Sequence, residues 1–81
     1  MTNEEIFSKL LEIFSTSLSH VDTSAVTMES DLFTDLGMDS LSLLLSSLAI
    51  ENTFGIRIAS GARFSKVRDV VDYIARETTP S

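Results

Sequence analysis

Residues 36–45, LGMDSLSLLL, place a glycine, an aspartate and a serine directly ahead of a run of leucines. Asp and Ser are favoured helix N-caps because a short side-chain oxygen accepts a first-turn backbone amide, and Gly37 leaves the backbone just upstream free of side-chain restriction. The pattern predicts a helix from about Ser40 to Phe54, capped by Asp39 or Ser40 and ending near Gly55. Leu41, Leu44, Leu45, Leu48 and Asn52 form one row along it, and Leu43, Ser47, Ile50 and Phe54 another. A helix apolar on more than one face is either buried on most sides or offers part of that surface to a partner.

Upstream of this stretch, residues 19–38 lose periodicity and are rich in Ser, Thr and Asp. So long a loop is uncommon in a compact fold and needs inserted anchors, for which Val21, Val26, Leu32, Phe33 and Leu36 are the candidates. Asp31 and Asp35 suit the first turn of a short helix, where negative charge is favourable. Further upstream, Thr2 to Glu5 reads T-x-x-E, a capping box, and Ile6, Phe7, Leu10, Leu11, Ile13, Phe14 and Leu18 follow at three- and four-residue spacings. They predict a first helix over about 3–18 with a wide apolar stripe.

Downstream, Ile56-Arg57-Ile58 alternates for one step only and reads as an extended link. A short helix is expected over about 61–64. Ser65 then looks like the cap of a last helix over 66–77, in which Val67, Val70, Val71, Ile74 and Ala75 repeat at helical spacing. The tail, 78–81, should fray. The fold class is therefore all-α: one domain over 1–81, a small bundle of three main helices and one short helix, with a long loop between the first and second.

Composition limits the functions available to this fold. The chain has 81 residues, enough for one core and too few for a second lobe that would enclose a substrate. Its 43% hydrophobic and 22% charged residues suit a folded domain rather than a disordered one. No cysteine is present, so neither a disulfide nor a thiolate metal cluster holds it, and a reducing cytoplasm is the expected location. The longest apolar runs, Leu43–Leu45 and Leu48–Ile50, are far short of a membrane span, and MTNEEIF has no basic stretch before an apolar one. Residues 1–38 carry seven acids against Lys9 alone, so the whole net charge of −6 resides there, while the remainder balances five acids with five bases. Nucleic acid, which needs a basic face, is a poor partner; a protein with a basic patch is a better one.

Little in the chain supports catalysis. Ser40, His20 and an aspartate supply the residue types of a hydrolytic triad, yet G-M-D-S-L is not a G-x-S-x-G elbow and no strand precedes it. His20 reads as a solvated loop residue. Asp31, Asp35 and Asp39 are spaced by four, unlike a calcium loop, so no metal site is expected. No glycine-rich phosphate loop is present. What remains is the hydroxyl of Ser40, which alone would read as an ordinary cap.

Its surroundings add to that. Asp35-Leu36-Gly37-Met38-Asp39-Ser40-Leu41 resembles the D-L-G-x-D-S-L motif of acyl carrier proteins, and the likeness extends over nearly the whole chain: length, helix order, long first loop, Phe54-Gly55-Ile56-Arg57-Ile58 and Val70-Val71-Asp72-Tyr73-Ile74. The resemblance implies that Ser40 is where a separate transferase attaches 4'-phosphopantetheine from coenzyme A. The thiol that carries acyl groups would then come with the cofactor, in a chain that has no cysteine. It implies a carrier rather than an enzyme, serving acyl-loading and acyl-processing enzymes of ligase, ketosynthase or acyltransferase type in a fatty acid, polyketide or related specialised pathway. Asp35, Asp39, Leu41 and Leu45 are the residues expected to meet partners. Phe33, Leu44, Leu48, Ile50, Ile58 and Val71 are candidates for lining an acyl pocket, besides being ordinary core residues. A monomer binding its partners weakly and transiently is expected.

The chain also departs from the family. Its second helix has Glu51 as its only acid after Asp39, where relatives usually place several, so recognition should rest less on charge. Ser46 and Ser47 stand where larger apolar residues are common, which predicts a wider or more polar cavity. Arg57, Arg63, Lys66 and Arg68 add basic charge near the third helix. Two alternatives stay open: an aminoacyl or peptidyl carrier, and a carrier-like interaction domain that is never modified.

Overall fold

The computed structural model describes residues 2–18, 21–59 and 62–78. Helix α1, Asn3–Ser17, starts where the capping box predicts. The Thr2 hydroxyl accepts the Glu5 amide at 3.1 Å, and the Glu5 carboxylate accepts the Thr2 amide at 3.2 Å. Its stripe buries Ile6, Leu10, Ile13 and Phe14. Each such side chain removed from water contributes roughly 1.5–3 kcal/mol, which makes α1 the hub against which both other helices pack.

The loop after α1 is held by anchors and not by periodicity. Val26, Leu32 and Leu36 are buried as expected and Val21 partly so, but Phe33 is 46% exposed; Met38 is buried in addition. Phe33 points outward because residues 31–36 form tight turns. The Asp31 carboxylate accepts the amides of Phe33 and Thr34, and that of Asp35 accepts the Asp31 amide at 2.7 Å. These acids thus organise turns, not the first turn of a helix. The short helix of the loop is instead a 3-10 turn at Thr23–Ala25, capped by the Asp22 side chain.

Helix α2, Ser40–Phe54, has the predicted limits, and Asp39 is its cap. Gly37 and Gly55 both have φ of 67°, a left-handed conformation that favours glycine; they turn the chain into α2 and out of it. Despite its leucines, α2 sends only Ser46 and Ile50 fully into the core. Helix α3, Val67–Thr78, buries Val67, Val70, Val71 and Ile74.

Two expectations about the segment before α3 do not hold. Ser65 is not its cap: the Ser65 amide and hydroxyl and the Lys66 amide all donate to one carboxylate oxygen of Asp69, each at 3.0 Å. A carboxylate in the first turn outcompetes a hydroxyl there, since it gathers several donors and favours the positive helix end. No helix forms at 62–64, and Gly61 lies outside the described residues. The chain on either side is already tied down. Tyr73 Oη donates to the Arg57 carbonyl and accepts the Ala59 amide, both at 3.1 Å, while Asp69 holds Ser65 and Lys66.

The first loop and the start of α3 also brace each other. Leu32 N–H donates to Ser65 O at 2.8 Å, and the first amides of α3, at Val67 and Arg68, reach Ser30 O and Met28 O. This pairing leaves one antiparallel bridge, Asp31 to Lys66, and no strand among the described residues. Glu29 adds ion pairs to Lys66 and Arg68.

Candidate functional site

Ser40 is the first residue of α2, exposed, and its hydroxyl makes no hydrogen bond among the described residues. It is free because Asp39 does the capping: the Asp39 carboxylate accepts the Ser42 amide at 2.8 Å and its carbonyl accepts that of Leu43 at 2.9 Å. The Ser42 amide, more than any other group, holds the Asp39 carboxyl below the usual carboxylate range, so it is ionised at neutral pH. A primary hydroxyl thus stands beside a fixed negative charge at the positive end of a helix dipole.

A groove of about 370 Å³ begins at Ser40 and follows α2 past Leu44, Ser47 and Leu48 to Glu51, with Ile58, Ala59, Ala62 and Phe64 of the link as its other wall. Leucine flanks with a hydroxyl and a carboxylate among them suit a flexible arm that has both methyl and amide groups. The phosphate of such an arm would lie at a helix N-terminus, where a negative group is favoured, although Asp39 opposes it in part. The residues present therefore fit a phosphopantetheine arm at Ser40. A wider depression of about 550 Å³ lies over the first loop, beside Asp22, Ser30, Thr34 and Asp35, and does not include Ser40.

The other expected site residues divide in two. Leu41, Leu44, Leu45 and Leu48 are 64%, 56%, 47% and 49% exposed and form one stripe at helical spacing that continues from Ser40. Leu41 and Leu45 therefore lie where a partner can reach them. Leu44, Leu48 and Phe33, expected among the core or pocket residues, are on the surface; the first two flank the open groove, because α1 packs on the opposite row of α2. Ile50 and Val71 are buried, and Ile58 is partly so. Ser47, expected to make a cavity wider or more polar, lines the groove, and Ala59 and Phe64 line it without having been singled out. The link's ties to Glu51 and Tyr73 bring the last two there, and short-range spacing carries no signal of such ties.

Asp35 is exposed, but its carboxylate is engaged by the Asp31 amide inside the loop. His20 lies outside the described residues. Among the described residues, no group of three His, Asp or Glu side chains is placed to hold a metal ion, and no helix is long and apolar enough to cross a membrane.

Comparison with known proteins agrees with this geometry. Residues 8–74 match the family described as "Phosphopantetheine attachment site". The acyl carrier protein of Thermotoga maritima is 42% identical over 78 residues, covering 94% of this chain and 95% of the relative. That of Aster yellows witches'-broom phytoplasma is 38% identical over 91% of this chain and 99% of its own length. That of Guillardia theta is 38% identical over 95% and 96%.

Proposed function

This chain belongs to the phosphopantetheine-bearing acyl carrier protein family, and on that premise we propose that Ser40 is the attachment residue from which it presents acyl groups to other enzymes. The observation that carries the proposal is the division of labour at the start of α2. Asp39 takes the cap, so the hydroxyl of Ser40 is exposed and unbonded at the mouth of a groove. During attachment the Ser40 hydroxyl loses its proton to the transferase and forms a phosphodiester bond as the pyrophosphate of coenzyme A opens, releasing the nucleotide half. When bound, the arm supplies the thiol that holds cargo as a thioester.

The chain's own residues then position and display. Leu44, Ser47 and Leu48 offer the arm a partly apolar wall. Leu41 and Leu45 give partners an apolar contact, and ionised Asp39 attracts a basic residue of the transferase. Glu51 is the only acid of α2 itself. Partners selected mainly by this leucine stripe would belong to a dedicated pathway rather than to general fatty acid synthesis. A monomer that catalyses nothing itself and works in a reducing cytoplasm completes the reading.

The test is intact mass before and after incubation with coenzyme A, magnesium and a promiscuous phosphopantetheinyl transferase. One adduct on the native chain and none on folded Ser40→Ala is the expected result. An unchanged mass with several transferases would leave Ser40 a bystander to its own helix cap.

A further inference from the structure

Ser46 lies on the inward face of α2, 1% exposed, and its hydroxyl is the one buried side-chain polar atom among the described residues without a hydrogen-bond partner. A buried hydroxyl left unpaired is costly, and an alanine there would avoid the cost. Ser46 lines a narrow, partly covered cavity of about 10 Å³ whose wall is almost wholly apolar, with Phe14, Leu32 and Ile50 among its side chains. That volume is about one water molecule's, but a water needs two to four polar partners, and Ser47 brings the only other hydroxyl. Ser46 is therefore a hydrogen-bonding group held open inside an apolar chamber.

The chamber adjoins the groove that starts at Ser40. Leu43 and Ser47 of α2 and Ile58 and Phe64 of the link line both spaces and form their common wall. The link side of this wall has no helix to stiffen it. It is held by the Ile58 amide on the Glu51 carboxylate at 2.8 Å and by the two bonds of Tyr73. Displacing the Ile58 and Phe64 side chains would join groove and chamber. Ser46 stands six residues beyond Ser40, about 9 Å along the helix. This is shorter than an extended pantetheine arm, so the thioester end of a bowed arm comes level with Ser46.

We propose that Ser46 makes this chamber selective, favouring acyl chains that bear a hydroxyl or keto group close to the thioester over plain hydrocarbon chains. The inference rests on the carrier reading above. A plain chain entering there covers the Ser46 hydroxyl and leaves it unpaired; an oxygen on the chain pairs with it. The energy that discriminates is thus the penalty already present in the empty fold.

The experiment loads the full chain, native and Ser46→Ala, with octanoyl- and 3-hydroxyoctanoyl-pantetheine from the corresponding coenzyme A thioesters. It then follows thioester cleavage by neutral hydroxylamine, with each rate divided by that of the free pantetheine thioester. The native chain should protect the hydroxylated cargo about fivefold better than the plain one, the preference that one net hydrogen bond supplies. Ser46→Ala, which removes an unpaired hydroxyl and adds no bulk, should fold normally and lose or reverse that preference. Equal ratios in the two proteins, or better protection of octanoyl in the native chain, would overturn the inference. Absence of any adduct, visible by mass before cleavage begins, would instead overturn the carrier reading on which it rests.

Discussion

Asp39 caps α2 and, in the proposed function, attracts the transferase, two tasks that substitution can separate. Asp39→Ala removes the acceptor of the Ser42 amide and should cost about 1 kcal/mol of stability, the usual loss for a missing N-cap. Asp39→Asn keeps an oxygen for the cap and removes the charge. It should melt close to the native chain yet be modified more slowly by the transferase, a contrast that paired melting and initial-rate measurements would show. Ser40 and Asp39 were legible in the sequence because capping is local: the oxygen and the amide it accepts lie three residues apart. Ser65 was misread for a related reason. A hydroxyl and a carboxylate compete for the same amides, and at the start of α3 Asp69 wins by gathering the donors of Ser65 and Lys66 together.

Helix α2 carries the leucine stripe proposed to meet partners. Its leucines are apolar on both sides, yet only Ile50 among its apolar residues is fully buried. Leu45→Ser should therefore leave the melting temperature within about four degrees, an exposed substitution being worth about 0.5 kcal/mol or less. The same change should weaken binding to a cognate acyl-loading enzyme, as titration calorimetry would report; a large loss of stability would mean the leucine stripe is core after all. The limits of α2 followed from Asp39 and Gly55, but which row faces inward did not. Leu44 and Leu48 have the spacing of core residues, and their exposure follows from where α1 packs. Likewise Phe33 is apolar in a loop that needs anchors, but the turns built by Asp31 direct it outward.

Across the whole molecule, one acid-sensitive pattern joins the elements. The Thr34 and then the Phe33 amide hold the Asp31 carboxyl low, the Ser42 amide that of Asp39, and the Lys66 and then the Ser65 amide that of Asp69. Each folded-state pKa lies below its unfolded value, so each group's contribution is complete above the ordinary carboxylate range and is lost as pH falls through the lowered folded value. Urea midpoints should be level above about pH 5 and drop below about pH 4, with the loop, α2 and α3 loosening together. The three-helix order was readable because α1 and α3 have clean apolar stripes. The brace between the first loop and the start of α3 was not, because backbone pairing of Leu32 and Val67 with Ser65 and Ser30 leaves no mark on side-chain pattern. Ser40 is proposed to take the arm alone among the several serines near the start of α2. Fragmentation mass spectrometry of the peptide spanning 36–50, after transferase treatment, should map the adduct to Ser40 alone; an adduct on Ser42, Ser46 or Ser47 would refute that assignment.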